Sequence, residues 1–119
     1  MSEVLAHNAG PGSLANASSL RIRVLYVEGC PNIDETIQLV RRVASSQRRG
    51  FVLERIEVLS QDEAVGLRLL GSPTVQINGV DIDPASRERT DFAMGCRLYG
   101  TSGVPTAGMI EAAMREGTP

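Results

Sequence analysis

Between residues 24 and 35 the chain changes its periodicity within a few positions, and a cysteine sits on the change. Val24-Leu25-Tyr26-Val27 is an apolar run that closes at Gly29. Cys30 follows, and from Asn32 onward the apolar residues recur at helical spacing. Asn32 and Glu35 stand three apart, the spacing of a capping box, and Pro31 lies where a chain entering a helix tolerates proline. Cys30 is therefore expected to end a strand beside the N-terminus of a helix, where unpaired backbone N–H groups favour negative charge. Such a setting favours thiolate over thiol and is one route to a reactive cysteine. The same residues also suit a half-buried structural thiol in a tight turn, and at this point both readings stand.

The flanks predict an α/β chain. Ile22, Val24 and Tyr26 alternate with Arg21, Arg23 and Leu25, so Arg21 to Val27 reads as a strand that becomes apolar on both faces. Ile33, Ile37, Val40 and Ala44 form one stripe of a helix from Asn32 to Ser46, ended by Gln47-Arg48-Arg49-Gly50. Phe51 to Leu59 reads as a second strand. Ser60 and Glu63 make another capping pair, opening a short helix through Leu70 that Gly71 stops. Pro73 leads into a third strand, Thr74 to Ile77. Asn78-Gly79 is a strong hairpin signal, and the return strand Val80 to Asp83 ends at Pro84. Residues 85–103 read as a long polar loop, of the kind that more often carries function than merely connects. A last helix is expected from about Pro105 to Glu116, with Met109, Ile110, Ala113 and Met114 inward.

The 119 residues suffice for one core and are too few for two. Residues 1–19 are small, polar and aperiodic and are expected to be a disordered tail ahead of a domain spanning 20–119. They lack a basic start and an apolar segment, so a secretory signal is not expected and the default location is cytoplasmic. No run approaches the roughly 20 apolar residues of a membrane span. Net charge is −2 without a basic block, which argues against nucleic acid. Every basic residue is arginine, so no lysine nucleophile or P-loop lysine exists, and the one histidine is His7. A Cys–His pair or a Cys/His zinc site would therefore need a partner molecule. Two cysteines, Cys30 and Cys96, point to redox or metal chemistry more than to a staple.

The order β-α-β-α-β-β-α, a cysteine ending the first strand and Ser72-Pro73-Thr74 opening the third together resemble the thioredoxin fold, over residues 21–116. The resemblance implies a four-stranded mixed sheet and a cis peptide at Pro73, packed near the reactive cysteine. It also implies that Ser72, Pro73, Thr74 and Pro31 contribute to a thiol- or peptide-binding site. Thioredoxins carry a second cysteine three positions after the first; here that position is Ile33, so no local disulfide can close. The chain is more similar to small bacterial thioredoxin-like proteins with a Gly-Cys-Pro-Asn loop, an Asp-Phe pair and a later Cys-Arg-x-Tyr, some of which carry alkylmercury-lyase labels. Here these are Gly29 to Asn32, Asp91-Phe92 and Cys96-Arg97-Leu98-Tyr99.

Topology adds an expectation of its own. If the third strand runs antiparallel to the first, Pro73 lies at the pole where Cys30 lies, and the segment after Asp83 emerges there too. Cys96, Arg87, Arg89 and Asp91 are then all within reach of Cys30. Cys96 is a resolving thiol or a small buried hydrophobe. Arg87 and Arg89 are thiolate-stabilising cations or solvated loop charges. Asp91 is a site acid or a local turn residue. Glu28 and Asp34 flank the thiol but suit an idle strand end and the helix dipole.

Three functions follow as expectations. The first is thiol–disulfide exchange, with Cys30 as nucleophile and Cys96 or an external thiol resolving, on protein or small-molecule substrates and with no resident cofactor. The second is soft-metal or organomercurial binding by two thiolates, or lyase-like cleavage of an organomercurial with Asp91 or Glu28 as the proton donor. The third is a non-catalytic binding module.

Overall fold

The structure, a computed structural model, describes residues 2–7 and 19–116. Its centre is a sheet of strands β1 (Ser2–His7), β2 (Leu20–Tyr26), β3 (Phe51–Glu57), β5 (Thr74–Ile77) and β6 (Val80–Asp81), in spatial order β1-β3-β2-β5-β6. Strands β2 and β3 are parallel, whereas β2–β5, β5–β6 and β1–β3 are antiparallel. The four strands expected from the sequence thus form a mixed sheet, and β1 extends it by one. Among the described residues three α-helices accompany it: α1 (Ile33–Ser45), α2 (Gln61–Leu67) and α3 (Ala107–Glu116). Among the described residues no helix is long and apolar enough to cross a membrane.

The alternation in β2 divides the interior. Leu20, Ile22 and Val24 point to the face covered by α1 and α3, where they pack with Val40, Val43, Leu53, Val75, Ile110 and Met114. Leu25 points the other way, into a smaller core with Val58, Ala64 and Leu69. Each of these large aliphatic side chains stabilises by about 1.5–3 kcal/mol when fully buried. The larger core therefore carries most of the apolar stabilisation. The smaller one serves mainly to seat α2 under the end of β2.

Several local expectations are corrected. The tail expected over residues 1–19 is replaced at Ser2–His7 by β1, which pairs with β3 from Ser2↔Ile56 to His7↔Phe51. An otherwise open edge of β3 supplies the hydrogen bonds, so pairing there needs no strong pattern in the partner. Residues 8–18 of that tail lie outside the described residues. Helix α2 ends at Leu67, not Leu70. Arg68, not Gly71, takes the left-handed conformation that stops it, at φ 66°. The Arg68 and Leu69 N–H groups donate to the Val65 and Ala64 carbonyls (3.2 and 2.8 Å), and Leu69 packs near Ala64, which together form a Schellman cap. The long polar loop holds a short 3-10 turn at Pro84–Ser86 and a strand, β7 (Ala93–Cys96), parallel to β4 (Leu70–Ser72). Both strands are too short to show a period.

The hairpin signal is realised: Asn78 and Gly79 both have positive φ (53° and 83°), as a two-residue turn of this kind requires. Asn78 also exchanges hydrogen bonds with the Arg21 backbone, its N–H donating to the carbonyl at 2.7 Å and its Oδ1 accepting from the N–H at 2.9 Å. The ladder between β2 and β5 is thereby lengthened past Ile77.

Candidate functional site

Cys30 lies where the periodicity places it, between β2 and α1. Its N–H donates to the Val27 carbonyl (3.2 Å), closing a turn in which Gly29 takes φ +79°, a conformation that costs a residue with a Cβ. The thiol is half-buried and packs against the edge of the larger core, whereas Gly29 and Pro31 are exposed. The capping box expected of Asn32 and Glu35 does not form, because the Asn32 side chain makes no cap hydrogen bond. It turns instead toward the C-terminal loop: a Cβ at Gly103 would collide with the Asn32 amide. A glycine at 103 is therefore what lets that loop close over the residues after Cys30.

Antiparallel pairing of β2 with β5 sets Leu25 opposite Thr74, so the end of β2 and the start of β5 meet at one pole. The Ser72–Pro73 peptide there is cis, as the resemblance implies. The Val27 N–H donates to Ser72 Oγ at 3.0 Å, tying the residue that starts the Cys30 turn to the residue before Pro73. Thr74 Oγ1 accepts from the Leu70 N–H (3.1 Å) and donates to the Gly71 carbonyl (2.7 Å). Ser72 and Thr74 were expected to touch substrate, but they are 3% and 0% exposed with their polar atoms engaged inside the chain, and Pro73 is buried beside them. Their side chains face the interior and tie the neighbouring segments together.

The second cysteine reaches the same segment. Strand β7 pairs with β4 so that Cys96 stands opposite Ser72, and the Arg97 N–H donates to the Ser72 carbonyl at 3.1 Å. Cys96 itself is exposed, not the buried small hydrophobe that was one reading of it. Neither cysteine is in a disulfide. Immediately after Cys96 the chain does something its sequence signalled only faintly. Arg97 is 4% exposed, and its guanidinium meets both Asp81 oxygens (2.7 and 2.9 Å) and Thr74 Oγ1 (3.2 Å) while lying over the Tyr99 ring at 4.4 Å. Asp83 stands 3.9 Å away. Burial works against the charge on Arg97, but the bonds to Asp81, with Tyr99 and Asp83 nearby, hold the guanidinium above its ordinary value. Tyr99 donates from its hydroxyl to the Pro73 carbonyl at 2.7 Å, and burial pushes that hydroxyl well above the usual phenol range. It therefore remains a donor at any physiological pH.

The other loop residues fall elsewhere. Arg87 pairs with Glu116 of α3 (2.6 Å) and donates to the Asp81 carbonyl (2.7 Å), so it anchors the loop to the last helix. Arg89 and Asp91 form a local exposed pair at 2.6 Å, and the guanidinium holds the Asp91 carboxyl below the usual carboxylate range. Arg87 and Arg89, read either as a cation assisting Cys30 or as solvated loop charges, are each paired with a carboxylate. Asp34 pairs with Arg55 at 3.3 Å, and Glu28 is exposed. Among the described residues no group of three or more His, Cys, Asp or Glu side chains converges as a metal site would.

Reasoning from the sequence missed Arg97, Asp81 and Tyr99 as a network. Its available signal was the alternation Cys96-Arg97-Leu98-Tyr99, in which positions 97 and 99 turn inward and positions 96 and 98 outward. No family model, curated protein or solved structure matches this chain.

Proposed function

We propose that the chain is a thioredoxin-like thiol protein in which Cys30 is the nucleophile of thiol–disulfide exchange and Cys96 the resolving thiol. The observation that carries this is the 3.0 Å hydrogen bond from the Val27 N–H to Ser72 Oγ, because Ser72 is also the strand partner of Cys96. One serine therefore couples the turn bearing one free cysteine to the strand bearing the other. The strand order β3-β2-β5-β6 and the order of elements around it support the thioredoxin-like assignment.

In the first step the Cys30 thiolate attacks one sulfur of a disulfide, forming a mixed disulfide and releasing the other half as a thiolate. The Cys96 thiolate then attacks the Cys30 sulfur. The second half leaves as a thiolate, and Cys30–Cys96 remains as the oxidised pair. Two electrons pass from protein to substrate, and two molecules of an external small-molecule thiol return them by successive exchange, leaving joined as their own disulfide. The test is trapping with mass spectrometry. Cys96→Ser should accumulate a mixed disulfide on Cys30, and Cys30→Ser should form none. A Cys30→Ser protein that turns over disulfides as fast as the parent would sink the assignment and leave a binding module.

A further inference from the structure

We infer that this site, taken as a thiol–disulfide exchange site, accepts small-molecule disulfides and thiols and not extended polypeptide. An extended peptide is usually held beside a reactive group by adding as a strand, which needs free backbone N–H and C=O groups along an edge next to that group. The edge tied to the Cys30 turn is the run from Leu69 through Thr74, and the chain already uses it.

The Leu69 carbonyl accepts from the Ala93 N–H at 2.9 Å and the Ser72 carbonyl from the Arg97 N–H at 3.1 Å. The Pro73 carbonyl accepts from the Tyr99 hydroxyl at 2.7 Å, and a proline has no N–H to offer. Thr74 is paired with Leu25 of β2. Strand β7 thus occupies the place where a guest strand would add. It is held there by Met94, which packs partly buried against the smaller core, and by its close approach to β4. Gly71 takes φ +101°, and a Cβ on it would stand 3.0 Å from the Arg97 Cβ and 3.2 Å from its backbone, so the two segments lie against each other. Displacing β7 would also pull Arg97 from Asp81 and leave a buried charge unpaired, which is strongly unfavourable. The register of β7 shifts between Leu70 and Ser72, and such an irregularity makes its own outer edge a poor template for a second strand. What remains open around the thiols is local: Gly29, Pro31 and the exposed Cys96. That surface suits a compact thiol.

The test holds the electrophile constant. Two mixed disulfides of cysteamine are compared, one with N-acetylcysteine amide and one with a cysteine at the centre of an extended ten-residue peptide. Each rate of reduction by the full chain is divided by its uncatalysed rate with dithiothreitol. The expected ratio of peptide to small substrate is one or less, and Tyr99→Phe, which frees the Pro73 carbonyl, should raise it. A parent protein that prefers the peptide overturns the inference while leaving thiol exchange intact. Failure of both substrates to react at Cys30 overturns the exchange chemistry itself, and the inference with it.

Discussion

The two cysteine-bearing segments reach the same serine by opposite physical means. Cys30 is placed by local chemistry: an apolar strand, a glycine at positive φ, then a helix whose buried stripe docks on the larger core. Cys96 is placed by long-range polar chemistry: the buried ion pair of Arg97 with Asp81, 16 residues apart, and the bond from Tyr99 to Pro73, 26 residues apart. An apolar contact tolerates small shifts, because dispersion and burial change gradually with distance. A buried bidentate ion pair does not, because either partner alone is a desolvated charge. The Cys96 side should therefore be the more brittle half of the site.

The largest expected effect tests that difference directly. Arg97→Ala leaves Asp81 buried without its partner and should lower stability by about 3–5 kcal/mol, read from chemical denaturation. The double replacement Arg97→Met with Asp81→Leu removes both charges and should recover much of the loss, since buried pairs are often replaceable by apolar residues of similar size. Equal losses in the single and double variants would mean that packing, not charge pairing, holds β7. Hydrogen exchange supplies the second arm. In Arg97→Ala, amides of 70–72 and 93–97 should open well before those of β2 and α1.

This contrast also explains which parts of the molecule were legible beforehand. The strand–turn–helix around Cys30, the Asn78-Gly79 hairpin and the stripe Ile33, Ile37, Val40, Ala44 are written in neighbouring residues, and they appear in the fold as read. The meeting of both cysteine segments at one pole followed from strand direction alone. Arg87 and Arg89 misled because a charge in a long loop does not announce its partner: Glu116 lies 29 residues from one and Asp91 two from the other. Strand β7 was hidden because its pairing depends on Leu70–Ser72 and not on any pattern of its own. The two apparent capping boxes make the same point at smaller scale. Ser60 Oγ accepts from the Glu63 N–H at 3.1 Å, and the Glu63 carboxylate accepts from the Leu59 N–H at 2.9 Å, whereas Asn32 caps nothing. Ser60→Ala should therefore cost about 1 kcal/mol, within a range of 0.5–2. Asn32→Ala should stay within about 0.5 kcal/mol, as for a partly exposed side chain without a structural bond. A larger loss from Asn32→Ala, measured by thermal and chemical unfolding, would mean that its contact with Gly103 holds the Cys30 turn in place.

The smallest effect concerns the anchor between the loop after β6 and α3. Arg87 hydrogen-bonds Glu116 and holds its carboxyl below the usual carboxylate range. A carboxyl with a lowered value in the folded chain contributes stability that is fully present above its unfolded value, about 4.3. That contribution is lost as pH falls through the lowered folded value. The parent should thus be slightly more stable than Glu116→Gln at neutral pH, and the two should converge as the solution is acidified below pH 4. Salt should shrink the neutral-pH difference, because the pair is exposed and its attraction is screened. Arg97→Ala should respond differently, since its carboxylate partner is buried: its destabilisation should persist in high salt. If added salt abolished both effects alike, the division of the site into an apolar-held half and an ion-held half would have to be given up.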